Sequence, residues 1–151
     1  MFVINKIIII IIYSCRCGAL VDAKDLHSFV CKRCPGCRTV RHQALNDVVA
    51  RVFTSANIPV TKEPNGLSRL DGKRPDGLTL IPWQSGKPLT WDVTVVSTLA
   101  GSYVSDSERL AGAAAKLAAT RKSDKYANLT SSYLFQPIAI ENLGAICYLV
   151  L

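Results

Sequence analysis

Residues 88–97, PLTWDVTVVS, form the most strongly β-prone run in the chain, and a carboxylate stands in the middle of it. Aspartate is depleted in strands and costly to bury without a partner, so Asp92 either points to solvent from one sheet face or meets a cation or metal ion. The flanking sequence supplies further elements. RHQALNDVVARVFTSAN, residues 41–57, sets Ala44 or Leu45, Val48, Val49, Val52 and Phe53 at helical spacing, so one face can pack on a core. IPVTKEP reads as a short strand, NGLSRLDGKRP as a loop rich in turn residues, and residues 76–83, DGLTLIPW, as a second strand leading through the SGK turn into the 88–97 run. Residues 106–127 begin acidic and end basic, as the helix dipole favours. LFQPIAIENLG follows as a strand whose Pro137 argues for an edge or strand-start position. The element order is α, β, β, β, α, β, an α/β domain.

The chain has 151 residues, 49% of them apolar, enough for one core and a small appendage. Its opening residues, MFVINKIIIIIIYS, hold an apolar run from Ile7 to Tyr13, far short of the ~20 residues needed to span a bilayer. A secretory h-region of about 7–15 residues is the alternative reading. Residues 1–14 are taken as an Ile-rich leader outside the fold, and residues 145–151 as an apolar tail; Cys147 in that tail receives no role.

Five of the six cysteines fall between Cys15 and Cys37. Such crowding fits a local metal site in a reducing compartment better than a disulfide framework, with free thiols or disulfides as the alternative. Cys15, Cys17, His27, Cys31, Cys34 and Cys37 offer more ligands than one tetrahedral zinc can use, and spacing alone favours the C-x-x-C pair Cys34 and Cys37. Lys32, Arg33, Arg38 and Arg41 flank the cluster. With a net charge of +7 and basic residues concentrated at 32–51, 62–74 and 116–125, a polyanionic partner competes with a merely soluble basic surface.

If 76–83 and 88–97 form an antiparallel hairpin, Asp76 begins one strand and Asp92 lies mid-way along its partner, near enough to share an ion. Hydrolysis of a phosphodiester calls for such a pair around Mg²⁺ together with a nearby cation. Against this, PDG is also ordinary turn chemistry.

RHQALND, EPNGL, GKRPDGLTL, WDVTV, RKSDKY and FQPIAIENLG, in that order, resemble the C-terminal part of non-LTR retrotransposon polyproteins, where a reverse transcriptase is followed by a restriction-endonuclease-like domain. The resemblance spans Cys15 to about Gly144. It implies a zinc-knuckle-like segment at 15–40 and a PD-(D/E)xK core at 41–144. Within that core, Pro75 and Asp76 match the PD and Asp92 the second acidic residue, with Arg74 preceding the pair. It further implies zinc on Cys15, Cys17, His27 and Cys31, with Cys34 and Cys37 as alternative ligands.

Two positions depart from the family pattern. Thr94 stands where the superfamily usually has lysine, and threonine carries no charge; the family's lysine pair ahead of a tyrosine matches Lys122, Lys125 and Tyr126. Leu110, Leu117, Arg121 and Asp124 share a helix face that Lys125 lies nearer than Lys122, so Lys125 is expected to supply the charge. In RHQALND, Leu45 replaces an arginine, leaving Arg41 and His42 as phosphate contacts. The expectation is a Mg²⁺-dependent DNA endonuclease, a retroelement remnant that binds DNA, with RNA as an alternative, acts on no small-molecule substrate and resides in nucleus or cytoplasm. The alternatives are a catalytically dead nucleic-acid-binding zinc module and a small secreted disulfide protein.

Overall fold

The computed structural model describes residues 13–14, 18, 20–21, 27, 31, 35–67, 72–142 and 146–148. Two short strands, β1 (Tyr13–Ser14) and β2 (Leu20–Val21), pair antiparallel. The last two residues assigned to the leader therefore belong to a paired strand. Cys15, Cys17, Cys34, Lys32 and Arg33 lie outside the described residues, as do the side chains of Cys37 and Arg38.

Helix α1 (Pro35–Ser55) starts six residues before the expected boundary, on a proline whose fixed φ suits a first helical turn. It stops where Asn57 turns left-handed at φ 60°, followed by Pro59. Its inward stripe differs from the one read from apolar spacing. Val48 and Val52 are exposed, whereas Asn46 is buried and Leu45, Val49 and Phe53 are half-buried. Polar His42 and Asn46, one turn apart, share the inward face.

A five-stranded mixed sheet follows in the order β3 (Val60–Lys62), β4 (Gly77–Thr79), β5 (Leu89–Val96), β6 (Leu134–Glu141), β7 (Ile146–Tyr148). The hairpin β4–β5 is antiparallel, pairing Gly77 with Trp91 and Leu78 with Thr90. Its first strand is shorter than residues 76–83. Thr79 takes the Leu89 N–H on its hydroxyl and donates to the Ile81 carbonyl, turning Leu80 and Ile81 outward. Strands β5 and β6 run parallel in unbroken register from Leu89–Leu134 to Val96–Glu141.

The apolar tail is a correction: Ile146–Tyr148 pairs with Ile138–Ile140 as a fifth strand. The edge or strand-start position expected from Pro137 is a second correction: it is the fourth residue of β6, an interior strand, in register with Asp92 of β5 and one residue before the pairing with β7 begins.

The expected helix 106–127 is two pieces, α2 (Val104–Ser107) and α3 (Ala113–Lys125), divided at Gly112, whose φ of 85° only glycine adopts freely. The first N–H groups of α3, from Ala114 and Ala115, donate to the buried Glu141 carboxylate at 3.0 and 3.2 Å. A strand residue thus caps the helix. Ala114, Ala115, Ala118 and Ala119 let α3 sit close on Ala139 and Val96.

Alternate residues of β5 serve the two helices. Trp91 stacks on Phe53 of α1, ring centroids 5.1 Å apart, while Asp92 faces Lys122 of α3. The sheet is thereby covered on both faces. Among the described residues no helix is long and apolar enough to cross a membrane.

Candidate metal centre

Asp76 sits one residue before β4, and extending the hairpin register by one step sets it across from Asp92. Its backbone is held three ways: its N–H donates to the Trp91 carbonyl at 2.9 Å, while its own carbonyl accepts from Glu63 N–H at 2.9 Å and Asn46 Nδ2 at 3.2 Å. Asn46 Oδ1 in turn accepts the Trp91 indole N–H at 2.9 Å. This one amide therefore fixes α1 against both hairpin strands.

Gly77 is required by sterics rather than by a turn. A Cβ there would stand 2.0 Å from the Trp91 ring.

The Asp76 carboxylate takes the Val93 N–H at 2.6 Å and meets His42 Nε2 at 3.1 Å, both on Oδ2. Burial pushes its pKa up, but the His42 and Val93 hydrogen bonds outweigh it, so Asp76 titrates below the usual aspartate value. That same hydrogen bond to Asp76 raises His42 above 6.5 in spite of partial burial.

Asp92 behaves oppositely. Its side chain is only 4% exposed, and desolvation, aided by the Asp76 charge, raises its pKa although the Lys122 ammonium pulls it down. The two carboxylates thus have pKa values pushed in opposite directions, a pattern common at functional sites and also found in structural ion-pair networks.

Lys122 Nζ lies 2.5 Å from Asp92 Oδ1; Lys125 Nζ is 3.8 Å from Oδ2 and donates to the Tyr126 hydroxyl at 2.7 Å. The tighter contact is thus made by Lys122, against the expectation for Lys125. The helical-wheel argument took leucines as the inward face, but the alanine stripe is the buried one, and Ala114–Ala118–Lys122 continues it. Thr94 remains half-buried on β5, and the ammonium groups reach Asp92 from α3 instead. Buried Tyr126 donates its hydroxyl to the Arg74 carbonyl at 2.9 Å and packs on Phe135, ring centroids 4.8 Å apart, which ties the end of α3 to the segment carrying Asp76.

Arg74 stands exposed at the cleft mouth, ion-paired with Glu63, while Arg41 is half-buried on α1. The open cleft, about 310 Å³, is lined by His42, Glu63, Arg74, Asp76, Asp92 and the two lysines.

His42, Asp76 and Asp92 each offer a ligand atom, all within 4.8 Å of one another. Donors around an ion bonded at about 2.1 Å stand ~3–4 Å apart. The set is thus slightly wider than a loaded site, and its donors, two hard oxygens and one imidazole, are of kinds that could hold a divalent metal. Sequence reasoning gave His42 to phosphate and missed Asn46 and Glu141. The one signal for Asn46 was a polar residue four positions after His42, on the same helix face. For Glu141 there was none, since its partners are backbone amides 26 and 27 residues away.

His27 and Cys31 of the cysteine cluster are joined by a Cys31 N–H to His27 carbonyl bond of 2.8 Å, and Cys31 is buried. No family model, curated protein or solved structure matches this chain.

Proposed function

We propose that this chain is a divalent-metal-dependent DNA endonuclease, a PD-(D/E)xK-type domain of the kind carried by non-LTR retrotransposon polyproteins, with Mg²⁺ among the ions that support cleavage. The observation that carries this reading is the pair Asp76 and Asp92, converging from the start of β4 and the middle of β5 with two lysine ammonium groups behind them. When bound, the ion supplies Lewis acidity toward a phosphoryl oxygen and toward water.

The chain's own groups do the rest. Val93 N–H orients the Asp76 carboxylate. Lys122 and Lys125, only about a quarter exposed, offer preorganised positive charge where a pentavalent phosphorane accumulates negative charge, and partial desolvation strengthens that field. Arg74 at the cleft mouth, with Arg41 next to His42 on α1, would grip neighbouring phosphates, at the cost of exchanging the exposed Arg74–Glu63 pair, which holds at most about 1 kcal/mol. The segment 15–40 is proposed to hold zinc through Cys15, Cys17, His27 and Cys31 or through the Cys34–Cys37 pair, displaying its basic residues to the same polyanion.

The test is Mg²⁺-dependent nicking of supercoiled DNA by purified protein. Asp76→Asn and Asp92→Asn should each lower the rate at least ~10²-fold, as loss of a principal charge-stabilising group does. Binding without nicking by a folded wild-type protein would reduce the chain to a nucleic-acid-binding module.

A further inference from the structure

We infer that His42 is a metal ligand, the third donor beside Asp76 and Asp92, and that it makes the centre selective for imidazole-accepting divalent ions such as Mn²⁺ over Mg²⁺; this rests on the proposed cation site between the two carboxylates.

Three features of the structure carry it. His42 Nε2 is turned inward, onto Asp76 Oδ2 at 3.1 Å, rather than outward along the basic surface where a phosphate contact would project. Its helix cannot slide away from the hairpin. Asn46, one turn further along α1, holds the Asp76 carbonyl and the Trp91 indole at once, so the imidazole is delivered to the carboxylates by rigid elements. Finally, the lysines approach Asp92 from α3, Lys122 on Oδ1 and Lys125 3.8 Å from Oδ2, whereas His42 reaches the carboxylates from α1. All three ligand atoms, one from each residue, lie within 4.8 Å of one another.

Donor chemistry then sets the metal. Mg²⁺ keeps oxygen ligands and waters and takes imidazole poorly, whereas an imidazole nitrogen favours Mn²⁺ and the later first-row ions along the series of increasing affinity. His42 binds as the neutral imidazole through Nε2, any proton held there leaving to solvent. An alternative role, a plain His–Asp ion pair steadying α1, would leave metal preference untouched by its loss.

The experiment titrates the full chain with Mn²⁺ under electron paramagnetic resonance, with electron-spin-echo modulation to detect a directly bound nitrogen. Wild type should show ¹⁴N modulation on an ion whose binding is lost in Asp92→Asn. His42→Gln should keep a bound Mn²⁺ without that modulation, bind it at least tenfold more weakly, and change its Mg²⁺ affinity less than threefold. Mn²⁺ bound at the Asp92-dependent site without ¹⁴N modulation, or equal Mn²⁺ affinity in His42→Gln, overturns the inference. Nitrogen ligation without DNA nicking would sustain the ligand and sink the nuclease reading; nicking without nitrogen ligation would do the reverse.

Discussion

At the scale of single residues the account turns on how Asp92 is tolerated. Burial raises its pKa, so its contribution to stability is greatest when protonated and is lost as the pH rises through its folded value. Ionised Asp92 is therefore a cost that the metal-free protein carries at neutral pH, a common feature of functional sites. Asp92→Asn should raise the Tm of the EDTA-treated protein by a few degrees while eliminating nicking. Lys122→Met should lower Tm, because it strips the nearest counter-charge from a buried carboxylate. Differential scanning calorimetry on both variants checks the opposite signs. His42 supplies the pH dependence. With its folded pKa raised above 6.5 and Asp76 ionised throughout, the pair stabilises the metal-free fold fully below 6.5 and loses that contribution as pH rises through the raised value. Urea midpoints measured across that window should fall in wild type and stay flatter in His42→Gln.

At the scale of elements, the hairpin and α3 position the site, and they were unequally legible in the sequence. The β5 run and its β4 partner could be read because β-branched residues bounded by SGK leave few other conformations. The two-lysine ending of α3 could be read as well, but not which lysine meets Asp92, because small alanines rather than leucines face the sheet, and apolar bulk is a poor guide to a closely packed helix. The break at Gly112 depends on Glu141, a capping partner supplied by a distant strand. Removing that acceptor in Glu141→Ala should cost about 1–2 kcal/mol, the size of a lost helix cap, and should speed amide exchange in the first turn of α3. Gly77→Ala drives a methyl into the Trp91 ring, and should cost about 3 kcal/mol or more with red-shifted tryptophan emission.

For the molecule as a whole, the site lies where the start of β4 meets the middle of β5 and a helix from each face arrives, a convergence that element order alone left open. Local patterns could place Asp76, Asp92 and the lysines on the right elements. They could not show that His42 turns inward, because that depends on Asn46 docking α1 against the hairpin. On the proposed reading, the net charge of +7 would draw DNA to the chain at long range. If Arg41, Arg74, Lys122 and Lys125 meet phosphates, the log–log salt slope should be about −3.6 or steeper, and Arg74→Ala should flatten it by roughly one. The claim on which everything else stands is that a cation binds between Asp76 and Asp92. An anomalous-difference map from crystals grown with Mn²⁺ tests it directly: the account predicts a peak within bonding distance of both carboxylates, and a well-ordered cleft with no peak there, or with Mn²⁺ bound only elsewhere, would contradict it.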